Sequence, residues 1–248
     1  MRTLCIPSLL ALVLSSTPLH ASSPDLIKTA KGDLTISPIE HATFVLKWDG
    51  KTIFVDPTKG GPAFEGQGKP DVILVTDTHG DHYDAATLAA VRTPQTVLIV
   101  PAAVADKMGA DKGDARVLAN GEKTAVGDIT VEAVPMYNLT EERKSFHTKG
   151  RGNGYVVTLG GKRIYISGDT EDIPEMRGLK NIDVAFVCMN LPYTMDVEHA
   201  ASAVLEFKPK VVYPFHYRGK DGLSDVARFQ ALVAKDKGIE VRLLQWYP

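Results

Sequence analysis

Apolar and polar positions along this chain fall into two textures. Between residues 34 and 55, short apolar runs follow one another closely. Segments 34–36, 43–48 and 52–55 read as strands, and Asp49-Gly50 between the last two is a hairpin signal. This opening predicts an antiparallel meander, preceded by a loose arm over residues 22–33. Asp56-Pro57 ends it. Gly60-Gly61-Pro62 through Gly66-Gln67-Gly68 reads as a flexible loop carrying an exposed aromatic, Phe64. Such a loop either lies over a pocket or merely connects.

From Val72 the chain alternates strand with helix. Strands are expected at 72–75, 97–100, around 116–118 and at 129–134, with helices at 85–91 and 102–108. A long loop, 135–153, precedes strands 155–159 and 163–166, joined by the turn signal Gly160-Gly161. A strand at 184–187 follows. Asp196 then caps a helix whose apolar face is Val197, Ala200, Ala201, Val204 and Leu205. Strand 211–215, a helix over 223–234 and strand 240–244 complete the pattern. Hairpins mixed with strand–helix–strand units argue for an α/β fold, its sheets covered by helices on their outer faces. No linker-like stretch divides residues 22–248, which read as a single domain.

Composition alters the picture at the N-terminus. Met1-Arg2, the apolar stretch 4–14, then Ser15-Ser16-Thr17-Pro18 and Leu19-His20-Ala21 read as a signal peptide over residues 1–21, cut after Ala21. A secreted or periplasmic protein is therefore expected. The apolar stretch is too short to span a bilayer comfortably, and no stable membrane insertion of the mature chain is expected. Without residues 1–21 the chain keeps 27 basic and 30 acidic residues, a net charge of −3. That balance offers no footprint for nucleic acid. Only Cys188 remains of the cysteines. It lies in an apolar run and reads as a small packed hydrophobe.

Candidate chemistry concentrates in Thr76-Asp77-Thr78-His79-Gly80-Asp81-His82, directly after the run Val72-Ile73-Leu74-Val75. Four oxygen or nitrogen donors within six residues suit Zn²⁺ or a related divalent ion. Gly80 is read as the residue that permits the turn. Two later stretches repeat the arrangement of a metal-ligating group just past an apolar strand: Ile166-Ser167-Gly168-Asp169-Thr170 and Tyr213-Pro214-Phe215-His216. His147 and Asn138 lie in the long loop. Ligands gather at such strand ends in α/β sheets.

Taken together, Asp77-x-His79-x-Asp81-His82, Ser167-Gly168-Asp169-Thr170 and Pro214-Phe215-His216-Tyr217 resemble the metallo-β-lactamase-fold hydrolases. Glu40-His41-Ala42-Thr43-Phe44, the Thr194-Met195 stretch and the Pro-Phe-His-Tyr ending are most similar to the branch of the L-ascorbate-6-phosphate lactonases, with N-acylphosphatidylethanolamine phospholipase D a more distant member. The resemblance implies a four-layer αββα sandwich with two divalent ions held at one edge between its sheets. It implies metal ligands at His79, Asp81, His82, Asp169 and His216, with Asp169 bridging. Two positions depart from the family pattern. Asp77 stands where the first His is usual, and the His usual in a later loop aligns with Asn138, unless His147 replaces it by folding inward. A carboxylate in place of an imidazole favours a harder ion, so Mn²⁺ or Fe²⁺ competes with Zn²⁺.

The expected function is that of an exported, metal-dependent hydrolase acting on a small ester, lactone or phosphoester. Two ions about 4 Å apart would acidify a water between them, and Asp81 would orient it or take its proton. His41, Asn138, Tyr193 and Arg218 are candidate substrate contacts, and Lys144, Lys149 and Arg151 make the 140s loop positive. The alternatives are a β-lactam hydrolase, or a non-catalytic metal- or ligand-binding protein of the same fold.

Overall fold

The computed structural model describes residues 24–247, so the expected signal peptide lies outside the described residues. Seven strands form the first sheet in chain order: β1 (Asp25–Thr29), β2 (Gly32–Glu40), β3 (Thr43–Trp48), β4 (Lys51–Val55), β5 (Val72–Leu74), β6 (Val97–Val100) and β7 (Arg116–Val117). The first four are antiparallel, and β4 to β7 run parallel. A second seven-stranded sheet holds β8 (Lys123–Val126), β9 (Ile129–Met136), β10 (Gly152–Leu159), β11 (Lys162–Ile166), β12 (Val184–Cys188) and β13 (Val211–Phe215). Beyond a small hairpin, β14 (Arg218–Gly219) with β15 (Gly222–Leu223), the last strand β16 (Glu240–Val241) closes that sheet's far edge beside β13.

Period-2 alternation decides which layer each face meets. Phe44, Leu46, Ile53, Val55, Val72 and Leu74 turn inward, into the main core that both sheets share. Their neighbours Val45, Phe54 and Ile73 turn outward, into a second core with Leu88 and Val91 of α1 (Ala85–Val91) and Val104 and Met108 of α2 (Ala102–Met108). On the other side α3 (Pro174–Arg177), α4 (Val197–Phe207) and α5 (Val226–Val233) bury Met176, Ala200, Val204, Phe229 and Val233. The result is the expected αββα layering.

Several local expectations change. The arm over 22–33 is, among its described residues, largely strand. β1 pairs with β2 from Asp25↔Ile36 to Thr29↔Gly32 and buries only Ile27, so its apolar signal is faint. Phe64 is buried rather than exposed, stacked on Phe54 at 4.6 Å between ring centroids. It belongs to the outer core and does not cover a pocket. β8 and α3 carry too few apolar residues to stand out in the sequence. The helix expected over 223–234 begins only at Val226, capped by Asp225, because Leu223 belongs to β15. The loop 135–153 is shorter than expected, since β9 runs to Met136 and β10 starts at Gly152.

Candidate metal centre

Parallel strands deliver the chemistry to one edge. β5 leads into Asp77–His82, β11 into Asp169, and β13 ends against His216. The connection between β9 and β10 adds Asn138 and His147, and the turn from β2 to β3 adds His41. Gly168 is required at its turn: its φ is 59°, and a Cβ there would lie 2.5 Å from Met136 Sδ. Gly80 is not required in this way. Its φ lies outside the left-handed region and a Cβ would meet nothing within 4 Å, which corrects the turn role expected of it.

Asp169, nearly fully buried, is the hub. Its Oδ2 lies 3.3 Å from His82 Nε2 and 3.0 Å from His147 Nε2, and its Oδ1 lies 3.2 Å from His216 Nε2. The Nε2 atoms of His82 and His216 approach to 3.1 Å. Asp81 stands at the mouth, its Oδ2 3.4 Å from His216 Nε2 and 3.5 Å from His41 Nε2. Burial would raise the Asp169 carboxyl, but His216, His82 and His147 hold it well below the ordinary carboxylate range. Burial would likewise lower His82, yet Asp169 and Asp56 raise it well above its usual value.

Asp56 was not among the sequence candidates. Its buried carboxylate accepts the Thr76 N–H at 2.7 Å and the Thr76 hydroxyl at 2.6 Å, and lies 2.8 Å from His82 Nδ1. An ionised carboxylate only accepts, so Nδ1 donates to Asp56, and Nε2 is the ring nitrogen that faces the hub and can ligate a cation once it gives up its proton. The signal was present: Asp56 follows the apolar strand Ile53-Phe54-Val55, as Asp77 and Asp169 follow theirs.

His147 points inward and is buried. Its Nδ1 donates to the carbonyl of Tyr193 at 3.1 Å, again freeing Nε2. Asn138 sits behind it. The Asn138 amide donates to Tyr193 O at 2.7 Å and Arg143 O at 2.9 Å, which makes it a brace for His147 rather than a wall of the cavity. Asp77 is fully buried and gripped by Arg151, with Nε–Oδ1 at 3.1 Å and Nη2–Oδ2 at 2.8 Å. His79 Nδ1 lies 2.9 Å from the same Oδ2, and His147 Nε2 3.8 Å from it. Arg151 is thus spent within the protein, as are Lys149 on Glu175 and Lys144 on Glu141. The positive 140s loop therefore offers little free charge.

The ligand atoms fall into three groups: His82, Asp169 and His216; Asp77, His79 and His147; and His41, Asp81 and His216. Within each group the atoms lie within 4.8 Å of one another. The donor set fits a divalent cation. His147 Nε2 and Asp169 Oδ1 are buried without a hydrogen-bond partner, an arrangement that is costly unless a cation satisfies them. Above them opens a cavity of about 480 Å³ lined by His41, Asp81, Phe146, Tyr193 and Arg218 among others. Phe146 and Tyr193 meet edge to face at 5.4 Å, and the Arg218 guanidinium lies 4.1 Å from the centre of the Tyr247 ring.

Comparison with known proteins matches residues 35–216 to the β-lactamase superfamily domain. A UPF0173 metal-dependent hydrolase of Pyrococcus abyssi is 34% identical over 208 residues, covering 78% of this chain and 89% of that protein. The chain belongs to the UPF0173 metal-dependent hydrolases of the metallo-β-lactamase superfamily. A second such hydrolase, from Anaeromyxobacter dehalogenans, is 31% identical over 238 residues, covering 88% of this chain and 86% of its own. Among solved structures, a candidate metal-dependent hydrolase from Parabacteroides distasonis superposes with a TM-score of 0.82 at 40% identity, covering 91% of this chain and all of that one. The αββα sandwich expected from the sequence is the fold of this family. In this metal-dependent hydrolase the thiol of Cys188 takes no part at the cavity. It is buried, donates to Thr170 O at 3.4 Å, and is pushed up to about 11, chiefly by burial.

Proposed function

We propose that this hydrolase uses two divalent ions to cleave a small ester, lactone or phosphoester with water as the nucleophile. The observation that carries the reading is the cavity itself: its floor is carboxylate and imidazole, and among the described residues no Ser, Thr or Cys lines it. Its volume suits a small molecule. Divalent ions bound there would supply Lewis acidity and a water acidified toward neutral pH.

The chain's own residues do the rest. His82, His216 and Asp169 would hold the inner ion, with Asp169 shared toward the outer group of Asp77, His79 and His147. Asp81 is the most exposed carboxylate of the hub, about one-third accessible. It remains ionised at neutral pH because burial, which would raise it, is outweighed by His216 and His82. From the cavity mouth it can orient the attacking water and accept its proton at a carboxylate oxygen. Zn²⁺ suits the imidazole-rich inner group, while the carboxylate at Asp77 gives Mn²⁺ or Fe²⁺ a better chance in the outer one.

The Glu40-His41-Ala42-Thr43-Phe44 stretch and the Pro-Phe-His-Tyr ending support a place near the lactonase branch, so lactones head the substrate list. The basic start, apolar stretch and Ala21 support export. The test is metal analysis of the purified protein, then a screen of lactones, phosphodiesters, phosphomonoesters and β-lactams with the metal found. Turnover of one ester class that chelation abolishes supports the reading; turnover unaffected by chelation contradicts it. Export is checked separately by the intact mass of protein recovered outside the cytoplasm.

A further inference from the structure

Two histidines at this centre differ in what holds their far nitrogen. Nδ1 of His82 faces the Asp56 carboxylate, which can only accept. Nδ1 of His41 faces the Tyr247 hydroxyl at 2.8 Å, and a hydroxyl can donate. Tyr247 Oη already accepts the Arg218 backbone N–H at 3.1 Å. Among the described residues its own hydrogen has one partner, His41 Nδ1, and the residue is buried, so an undirected O–H would be costly. With Nδ1 accepting, the hydrogen of His41 resides on Nε2. That atom faces the cavity, 3.5 Å from Asp81 Oδ2.

We propose that His41 is a hydrogen-bond donor to the substrate, locked in its Nε2–H tautomer by Tyr247, and not the metal ligand that its place beside Asp81 and His216 suggests. The proposal rests on reading this rim as a hydrolytic metal centre. An Nε2–H has no lone pair to give a cation. It has a hydrogen to give an oxygen that gains negative charge as an ester or lactone opens. The backbone holds the ring in place. His41 adopts φ 59°, a conformation a non-glycine residue keeps only where its surroundings impose it, and its carbonyl accepts the His216 N–H at 3.3 Å. Tyr247 is held as firmly, because its neighbour Trp246 is fully buried and meets Phe44 and Phe215, each at 5.7 Å.

The test titrates metal-free wild type, His41→Ala, His41→Gln and His216→Ala with Zn²⁺, then titrates the zinc-loaded proteins with inorganic phosphate as an oxyanion probe. Imidazole ¹⁵N spectra of the zinc-loaded wild type and of Tyr247→Phe read the tautomer directly. Expected are unchanged zinc stoichiometry in both His41 variants and loss of an equivalent in His216→Ala. Phosphate affinity should fall about tenfold or more in His41→Ala, with partial recovery in His41→Gln, whose amide can donate in place of Nε2–H. The wild type should carry its His41 hydrogen on Nε2, and Tyr247→Phe should lose that preference. Loss of a zinc equivalent in the His41 variants, phosphate affinity unchanged or unmeasurable, or the hydrogen on Nδ1 would each overturn the proposal. Should His41→Ala fail to fold, His41→Gln and the wild-type spectrum decide. None of these readouts needs the natural substrate, so a wrong substrate class in the proposed function leaves them intact.

Discussion

The two halves of the candidate metal centre are built from similar residues and differ in what their carboxylates already hold. In the inner half Asp169 faces three imidazoles and keeps one oxygen without a hydrogen-bond partner. In the outer half Asp77 is fully buried and both its oxygens are engaged by Arg151. The inner half presents unspent acceptors to a cation, whereas the outer half has much of its negative charge neutralised by a protein cation. The buried carboxylate of Asp77 thus comes with a guanidinium that offsets it. The account predicts unequal affinities: a tight inner ion and a weaker outer one.

The largest effect falls on the inner half. His82→Ala and Asp169→Ala should each abolish tight metal binding and hydrolysis together, read by metal analysis and turnover. Full activity in either variant would break the comparison. Asp56→Asn comes next. It removes the charge and turns one of the two accepting oxygens into an N–H donor, so the His82 tautomer is held less firmly, and metal affinity should fall roughly 10–100-fold with the fold intact by circular dichroism.

Arg151→Ala sharpens the comparison from the other side. In metal-free protein it strands a buried carboxylate, at a cost of about 3 kcal/mol in denaturant unfolding, while the first equivalent of Zn²⁺ binds as before. Burial alone would raise Asp77, but His79, His82 and Arg151 draw it down to about 2. In the unfolded chain it titrates near about 3.9. Its ionised form therefore contributes stability that is complete above the unfolded value and lost as pH falls toward 2. Removing Arg151 raises the folded value and should flatten that acid limb in metal-free protein. The smallest effect is expected for Asn138→Ala, which loosens His147 and should weaken only the outer ion, by about tenfold.

How much of this was readable beforehand depended on where the side chains lie relative to strands. Asp77, Asp81, His82, Asp169 and His216 all follow apolar runs closely, so the chain order alone suggested that they share an edge. His147 does not. Its inward pose depends on how the 140s loop folds, through Asn138 and through Glu171, which accepts the N–H groups of Leu139 and Thr140 and pairs with Arg143. No local periodicity encodes that. Arg151 looked like a free loop cation because its partner lies 74 residues away. Phe64 looked exposed because it sits among glycines, and only the outward face of β4 explains its burial. The weak strand β1 was missed for lack of apolar residues, and Tyr247 for lack of any motif.

The most direct measurement is a calorimetric titration of metal-free protein with Zn²⁺ across wild type, His82→Ala and Arg151→Ala. The account predicts a tight first equivalent that His82→Ala abolishes and Arg151→Ala leaves in place, followed by a weaker second one that Arg151→Ala alters. A tight first equivalent that survives His82→Ala would contradict it.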